Sequence, residues 1–122
     1  MGFHPVNLGL RFLLELCALA AVGLFGWTRF SGALQWVSCV AFPLVFMALW
    51  GTFAVPEDPS RSGGAPVPIP GVLRLCLELA LFGAASWALR ASGFARLAWI
   101  LAAVVVLHYG LSWDRITWLW RR

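Results

Sequence analysis

Four long apolar segments, separated by short polar stretches, dominate the chain. They run over Leu8–Thr28, Ala33–Ala54, Val72–Leu89 and Ala95–Trp113. Each has close to the roughly 20 residues that an α-helix needs to cross the hydrocarbon core of a bilayer. None alternates apolar and polar residues as a transmembrane strand does. The pattern therefore predicts an all-α integral membrane protein, a bundle of four transmembrane helices.

A segment rich in proline and glycine divides these helices into two pairs. Pro56–Gly71 contains five prolines and, near its middle, Gly63 and Gly64. A helix does not continue through such a density of proline, because proline lacks a backbone donor and clashes with the preceding turn. We predict a loop there. Each remaining pair of helices should form a hairpin, with short turns at Arg29–Gly32 and Arg90–Gly93.

The two pairs resemble each other in sequence. Leu10–Leu16 reads LRFLLEL, and Leu73–Leu79, 63 positions later, reads LRLCLEL. The same offset aligns Pro5/Pro68, Arg11/Arg74, Glu15/Glu78, Ala21/Ala84, Leu34/Leu97, Trp36/Trp99 and Trp50/Trp113. We predict one membrane domain over residues 1–122, with repeat one at residues 5–55, a cytoplasmic loop at residues 56–70 and repeat two at residues 68–118. Because each repeat crosses the membrane twice, the two should be parallel repeats in tandem.

Composition excludes a soluble domain and a nucleic-acid-binding protein. The chain is 61% hydrophobic and 11% charged, with a mean hydropathy of +0.84, and so few charges do not suffice to cover a soluble domain. The net charge of +4 comes from nine basic residues, all of them arginine. They form no basic, solvated face of the kind that nucleic acid requires. We therefore expect the lipid bilayer, and no nucleic acid, as a partner.

The arginines also predict the orientation in the membrane. The side with both termini and the loop carries Arg11, Arg61, Arg74, Arg115, Arg121 and Arg122, whereas the other side carries Arg29, Arg90 and Arg96. By the positive-inside rule, both termini face the cytoplasm. The tryptophans fit this arrangement as two interfacial belts: Trp27, Trp36, Trp87 and Trp99 near the outer turns, and Trp50, Trp113, Trp118 and Trp120 near the inner boundary.

Each repeat places an arginine and a glutamate four residues apart, on the same face of its first helix. Because a charge deep in a membrane is costly without a partner, Glu15 and Glu78 are expected to point inward. Two-fold symmetry predicts that Arg11 reaches Glu78 and that Arg74 reaches Glu15. Such pairs would either fasten an apolar bundle together or line a site for a proton, a cation or a small ligand.

Further polar residues gather at the end of the fourth helix, where His108, Ser112 and Arg115 share one face. The loop adds charges on the same side of the membrane: Glu57, Asp58 and Arg61. This asymmetry indicates either a polar vestibule open to the cytoplasm or anchoring at the membrane interface. The candidate intramembrane polar site comprises Arg11, Glu15, Arg74, Glu78, His108, Ser112, Asp114 and Arg115.

Signatures of enzymes and cofactors are missing from the sequence. Haem ligation by two histidines is not expected, because His108 is the one histidine within the bundle and His4 precedes the first helix. Cys17, Cys39 and Cys76 have unrelated spacings, which predict neither a disulfide framework nor a metal site. Phosphate-binding loops, dinucleotide-binding turns and serine-nucleophile elbows do not occur. We expect no enzymatic activity, no metal and no cofactor.

Several short motifs occur in a fixed order along the whole chain. They are Arg11-x-x-x-Glu15, Trp50-Gly51-Thr52-Phe53 running into Pro56, Arg74-x-x-x-Glu78, and His108-Tyr109 followed by Ser112-Trp113-Asp114-Arg115. In these motifs the chain resembles the YrdB-like family of small bacterial membrane proteins. The resemblance implies a four-helix, multi-pass protein of the bacterial cytoplasmic membrane. It implies no activity, because the function of the family is unknown.

Two functions remain open at this point. The first is a non-enzymatic structural or accessory component that packs against itself, as a homodimer, or against a larger membrane complex, with Arg–Glu pairs stabilising the bundle. The second is a minimal proton-coupled transporter or channel for a small cation or an amphiphile, in which Glu15 and Glu78 carry the proton. The second rests on analogy with other four-helix exporters that use a membrane glutamate.

Overall fold

The computed structural model describes residues 5–56, residue 58 and residues 65–122. Within these ranges the chain forms five helices: α1 (Pro5–Arg29), α2 (Ala33–Thr52), α3 (Gly71–Ala91), α4 (Ala95–Leu111) and α5 (Trp113–Trp120). Two short strands, β1 (Phe53–Ala54) and β2 (Val67–Pro68), pair in parallel between α2 and α3. The all-α prediction is confirmed, since α1 to α4 follow the four apolar segments closely.

Three of the described helices, α1, α2 and α3, are long and apolar enough to cross a membrane. A fourth span arises only if α4 and α5 are taken together, and this pair is bent by 72° at the break between them. Helices of this length and hydropathy are typical of membrane proteins. The described part of the chain therefore has three to four candidate spans rather than four uniform ones.

The helices are arranged around a central pair. α1 and α3 pack against each other, α2 lies against α1, and α4 lies against α3 and also contacts α1. The short helix α5 packs on α3. Small residues line the central contacts, among them Ala18, Ala21 and Ala85, which are almost completely buried. Small side chains let helix backbones approach closely. Such close packing is typical of contacts between membrane helices.

The two hairpin turns depend on glycine. Gly32, which precedes α2, has φ 63°, and Gly93, which precedes α4, has φ 92°. Both values lie in the left-handed region, which glycine adopts without the penalty that a Cβ atom imposes. The second turn is closed by hydrogen bonds from Gly93 N to Arg90 O and from Phe94 N to Leu89 O. Both predicted hairpins are therefore present.

The proline-rich segment begins and ends beside the same helix pair. Phe53 pairs with Val67 in the two-stranded sheet, and Ile69 N donates to Ala54 O at 2.9 Å. This pairing brings the two ends of the segment together, between the end of α2 and the start of α3. Glu57 and Arg61, which the sequence places in this loop, lie outside the described residues, as does His4.

The fourth helix differs from its prediction, because it ends at Leu111 and a separate helix follows. Ser112 occupies the break. Its hydroxyl donates to His108 O at 2.7 Å, and its backbone N–H donates to the carbonyl oxygens of His108 and Tyr109. A serine bonded back to the preceding turn competes with continuation of a helix. Since hydropathy carries no information about such a bond, the apolar pattern does not predict the bend.

The internal repeat stays a prediction, because matched positions differ in their surroundings. Glu78 is completely buried, whereas the side chain of Glu15 is 27% exposed. Trp50 is buried, but its counterpart Trp113 is on the surface, at 66% exposure. The second half departs from the first at Ser112, where its last helix turns away.

Two close contacts between backbones hold α2 and α5 in place. A Cβ atom at Gly26 of α1 would lie 2.7 Å from the carbonyl carbon of Ser38, and the Ser38 hydroxyl donates to Gly26 O at 3.1 Å. At Gly71, the first residue of α3, a Cβ atom would overlap with Leu119 O. The backbone of α5 therefore rests directly on the start of α3, and no larger residue fits between them.

We expect Gly71→Ala to lower the free energy of unfolding by about 1–3 kcal/mol, because the new methyl group displaces α5. Thermal denaturation in detergent, followed by tryptophan fluorescence, measures the change. Gly83→Ala on the same helix is the matched control, since a Cβ atom there meets nothing within 4 Å. The control should be neutral or stabilise by up to about 1 kcal/mol through helix propensity. Equal destabilisation by both variants would contradict this account of the contact.

Candidate functional site

The carboxylate of Glu78, on α3, lies at the centre of the polar residues and is 0% exposed. Arg74 Nε is 2.8 Å from its Oε2 atom. Arg115 binds both oxygens, with Nη1 2.9 Å from Oε1 and Nη2 2.9 Å from Oε2. Arg11 Nη2 lies 3.3 Å from Oε2, and the Tyr109 hydroxyl donates to Oε1 at 2.6 Å. Three guanidinium groups and one phenol therefore share a single carboxylate.

Four helices supply these groups, and the local structure of each helix explains how its side chain reaches Glu78. Arg74 and Glu78 are one turn apart on α3, a spacing that brings their side chains together. α1 presents Arg11 from the neighbouring helix, and α4 presents Tyr109. The bend at Ser112 directs α5 back across α3, and this change of direction carries Arg115 to the carboxylate. Without the bend, Arg115 would continue along the axis of α4.

The same arginines reach beyond Glu78 and attach two other parts of the fold. Arg74 Nη1 donates to Trp50 O at 2.8 Å and also to Phe53 O, at the C-terminal end of α2. Carbonyl groups at the C-terminal end of a helix accept hydrogen bonds from such donors, and the negative end of the helix dipole favours a cation. Arg115 Nη2 lies 2.8 Å from Asp58 Oδ2, in the loop. The cluster therefore ties α2 and the loop to the central helices.

A second polar group lies beside the first and joins the start of α1 to the break before α5. Asn7 Nδ2 donates to Ser112 Oγ at 2.7 Å. The Asn7 carbonyl oxygen lies 3.0 Å from His108 Nδ1, so that this ring nitrogen donates the hydrogen. All three side chains are buried, and each satisfies a neighbour. Buried polar groups arranged in this way fix one geometry, because a shifted helix would leave several of them without partners.

Glu15 differs from Glu78 in its environment. Its Oε1 atom accepts from Arg11 Nε at 3.2 Å, and its side chain is 27% exposed at the edge of the cluster. The predicted pair between Arg74 and Glu15 does not occur among the contacts of the described residues, because Arg74 turns to Glu78 on its own helix. The predicted pair between Arg11 and Glu78 does occur. The two repeats thus contribute unequally, with Glu78 at the centre and Glu15 at the margin.

The structure brings seven of the eight candidate residues together, with Glu15 at the margin through its ion pair with Arg11. Arg11, Arg74, Glu78 and Arg115 form the ion-paired cluster, and His108 and Ser112 lie beside it. Asp114 is exposed, and its Oδ1 atom accepts from the backbone N–H of Arg115 at 3.0 Å. Among the residues that the structure describes, no group of three or more His, Cys, Asp or Glu side chains has the arrangement of a metal site.

Three residues that contact the site in the structure are absent from the predicted site. Asn7 lies one turn before Arg11 on the same face of α1, and that spacing is a usable signal. Tyr109 follows His108 directly, but a tyrosine near the end of a helix is equally typical of an interface. The sequence places Asp58 on the same side as the site but does not predict its contact with Arg115, which joins a loop to a helix 57 positions away.

Comparison with known proteins places no activity on this cluster. Residues 9–106 match the family described as "Protein of unknown function (DUF2568)". The chain is also similar to the "Uncharacterized protein YrdB" of Bacillus subtilis (strain 168), with 41% identity over 116 residues that cover 95% of this chain and 94% of the relative. No solved structure matches the chain.

The geometry predicts unequal roles for the two glutamates. Glu78→Gln should lower the free energy of unfolding by about 3–5 kcal/mol, because it leaves three buried guanidinium groups without their shared counter-charge. The matched variant Glu15→Gln removes one partly exposed ion pair and should cost no more than about 1 kcal/mol. Thermal denaturation of both variants in the same detergent measures the difference. Equal losses of stability would contradict the central position of Glu78.

Proposed function

Because the chain belongs to the YrdB-like family of proteins of unknown function (DUF2568), we propose from its geometry that it is a non-enzymatic structural or accessory component of the bacterial cytoplasmic membrane. One observation carries this proposal. Both oxygens of Glu78 are bound by the chain's own Arg11, Arg74, Arg115 and Tyr109. A carboxylate held by so many donors is suited to fixing helices in position rather than to exchanging protons or binding a substrate.

The exposed faces of the helices support a location in the membrane. Large apolar side chains lie on the outside of every long helix, and the tryptophans near the two hairpin turns, Trp27, Trp36, Trp87 and Trp99, are all exposed. Indole rings favour the boundary between hydrocarbon and water. The four exposed tryptophans at the hairpin turns therefore suit a position at one membrane–water interface. The ion-paired cluster lies toward the opposite end of the helices, with the proline-rich loop. In the proposed topology, four spans place both termini in the cytoplasm.

The surface of α2 supports a role in assembly. Of its 20 residues only Ser38 and Trp50 are buried. Its outer face carries a continuous row of exposed apolar side chains, Leu34, Val37, Val40 and Leu44. In this proposal that row packs against a second copy of the chain or against a helix of a larger membrane complex.

The alternative is a minimal proton-coupled transporter or channel that uses Glu15 and Glu78 for a small cation or an amphiphile. The position of Glu15 favours it, because this carboxylate is partly exposed and has a single ion-pair partner among the described residues. The position of Glu78 does not, because protonation of this group would remove the negative charge that three buried guanidinium groups share. The geometry therefore supports the accessory role more strongly.

Native mass spectrometry of the protein, released gently from its own membrane, tests the accessory role. We expect the chain in an assembly, either with other polypeptides or as a homomer. Val40→Trp on the outer face of α2 should dissociate that assembly, whereas Val106→Trp, on an exposed position of α4, should not. A monomer, or an assembly that α2 variants leave intact, would contradict the proposal that α2 is the docking face.

Cysteine labelling tests the topology. In a background with Cys17, Cys39 and Cys76 replaced by serine, a membrane-impermeant maleimide added to spheroplasts should label Ser31→Cys and Ser92→Cys, at the two hairpin turns. It should label Arg122→Cys only after the membrane is permeabilised. Labelling of Arg122→Cys without permeabilisation would show that α4 and α5 re-enter on one side, and it would exclude the fourth span.

A further inference from the structure

A groove of about 780 Å³ lies between α1 and α2 and opens to the outside of the helices. Its walls are mainly apolar, with Phe12 and Leu16 from α1 and Met47 from α2. Three charged residues, Arg11, Glu15 and Arg74, reach its inner wall. The volume lies in the range of small-molecule sites, which typically combine an apolar lining with a few placed polar groups.

The two arginines of the groove are committed to the cluster behind it. Arg11 and Arg74 are 5% and 2% exposed. Arg74 donates to Glu78 and to the carbonyl groups of Trp50 and Phe53, and Arg11 donates to Glu15 and Glu78. Their positive charges are therefore offset by partners inside the protein, and little of either guanidinium faces the groove.

Glu15 is the charge that a ligand in the groove would meet. Its side chain is 27% exposed, several times more than either arginine. Within the described part of the chain, its one hydrogen bond is accepted by Oε1 from Arg11, so Oε2 remains available. An anion entering the groove would face this carboxylate before it reached either guanidinium. The charge accessible in the groove is negative.

The depth of Glu15 restricts the ligand further. The residue lies about 15 Å along α1 from Pro5, at about 1.5 Å per residue. In the proposed membrane location this depth is within the hydrocarbon region, where a hydrated ion does not enter at low cost. A ligand must therefore bring an apolar body, for which Leu16 and Met47 provide contact. The exposed ring of Phe12, at 60% exposure, can also face a cation.

We propose that the groove between α1 and α2 binds a lipophilic cation, with its charge against Glu15 and its apolar body along Phe12, Leu16 and Met47. The inference rests on the membrane location proposed above, but not on the accessory role. A small apolar ammonium or phosphonium ion is the class of ligand that the groove fits. Binding needs no displacement of Glu78, since the central cluster lies behind the groove and keeps its own partners.

Equilibrium binding of two probes of the same shape and opposite charge tests the proposal. Tetraphenylphosphonium should bind the full chain in nanodiscs saturably, and tetraphenylborate should not compete. Glu15→Gln should weaken phosphonium binding by about tenfold or more, as expected for loss of a charged partner, whereas Glu15→Asp keeps the carboxylate and should retain most of the affinity.

A second pair of variants separates the groove from general partition into lipid. Met47→Trp fills the groove without changing a charge and should also weaken binding, whereas Val106→Trp on α4 should not. If Glu15→Gln does not fold, Met47→Trp still decides the outcome. Equal binding of borate and phosphonium, or unchanged affinity in both Glu15→Gln and Met47→Trp, would overturn the proposal. Neither result bears on the assembly measured by native mass spectrometry.

Discussion

The fold depends on the ion pairs and hydrogen bonds that offset the negative charge of one buried carboxylate. Glu78 is taken entirely out of solvent, and an isolated ionised carboxylate in such a place costs several kcal/mol. The chain offsets that cost with contacts from four helices: α3 itself, α1, α4 and α5. Each contact also sets the position of the helix that makes it. Directional bonds thus fix how α1, α3, α4 and α5 lie relative to one another. With apolar packing alone, the helices could slide or rotate against each other at a low cost in free energy.

The remaining polar contacts extend this order outward from Glu78. Arg74 connects the carboxylate to the C-terminal carbonyls of α2, and Arg115 connects it to Asp58 in the loop. Asn7, His108 and Ser112 add a neutral layer that joins the start of α1 to the end of α4. The other ends of the helices rely on different means. At those ends the helices are joined by the hairpin turns at Gly32 and Gly93, and α1 contacts α2 closely at Gly26 and Ser38. The molecule is therefore polar and bonded at one end, and apolar and closely packed at the other.

Much of this arrangement is readable from the sequence, and the exceptions have physical causes. Hydropathy predicts α1 to α4, because length and apolar content decide which segments suit a bilayer. The spacing of Arg11, Glu15, Arg74 and Glu78 predicts a shared cluster and the contact between Arg11 and Glu78. It does not predict that Glu15 lies at the margin, because symmetry in sequence does not fix how far one helix is displaced along another. The break at Ser112 arises from a single side-chain hydrogen bond, and the contact of Asp58 joins distant parts of the chain, so neither leaves a periodic signal.

The position of α5 in the chain has a consequence for biogenesis. Arg115 is the bidentate partner of Glu78, yet it follows every long helix in the order of synthesis. Until Arg115 has been synthesised, Glu78 can pair with Arg11, Arg74 and Tyr109 but not with its bidentate partner. The charges of the cluster are therefore completely paired only when α5 has turned back onto Gly71. A chain that stops before α5 would leave Glu78 without its bidentate partner and Asp58 without the contact that joins the loop to the helices.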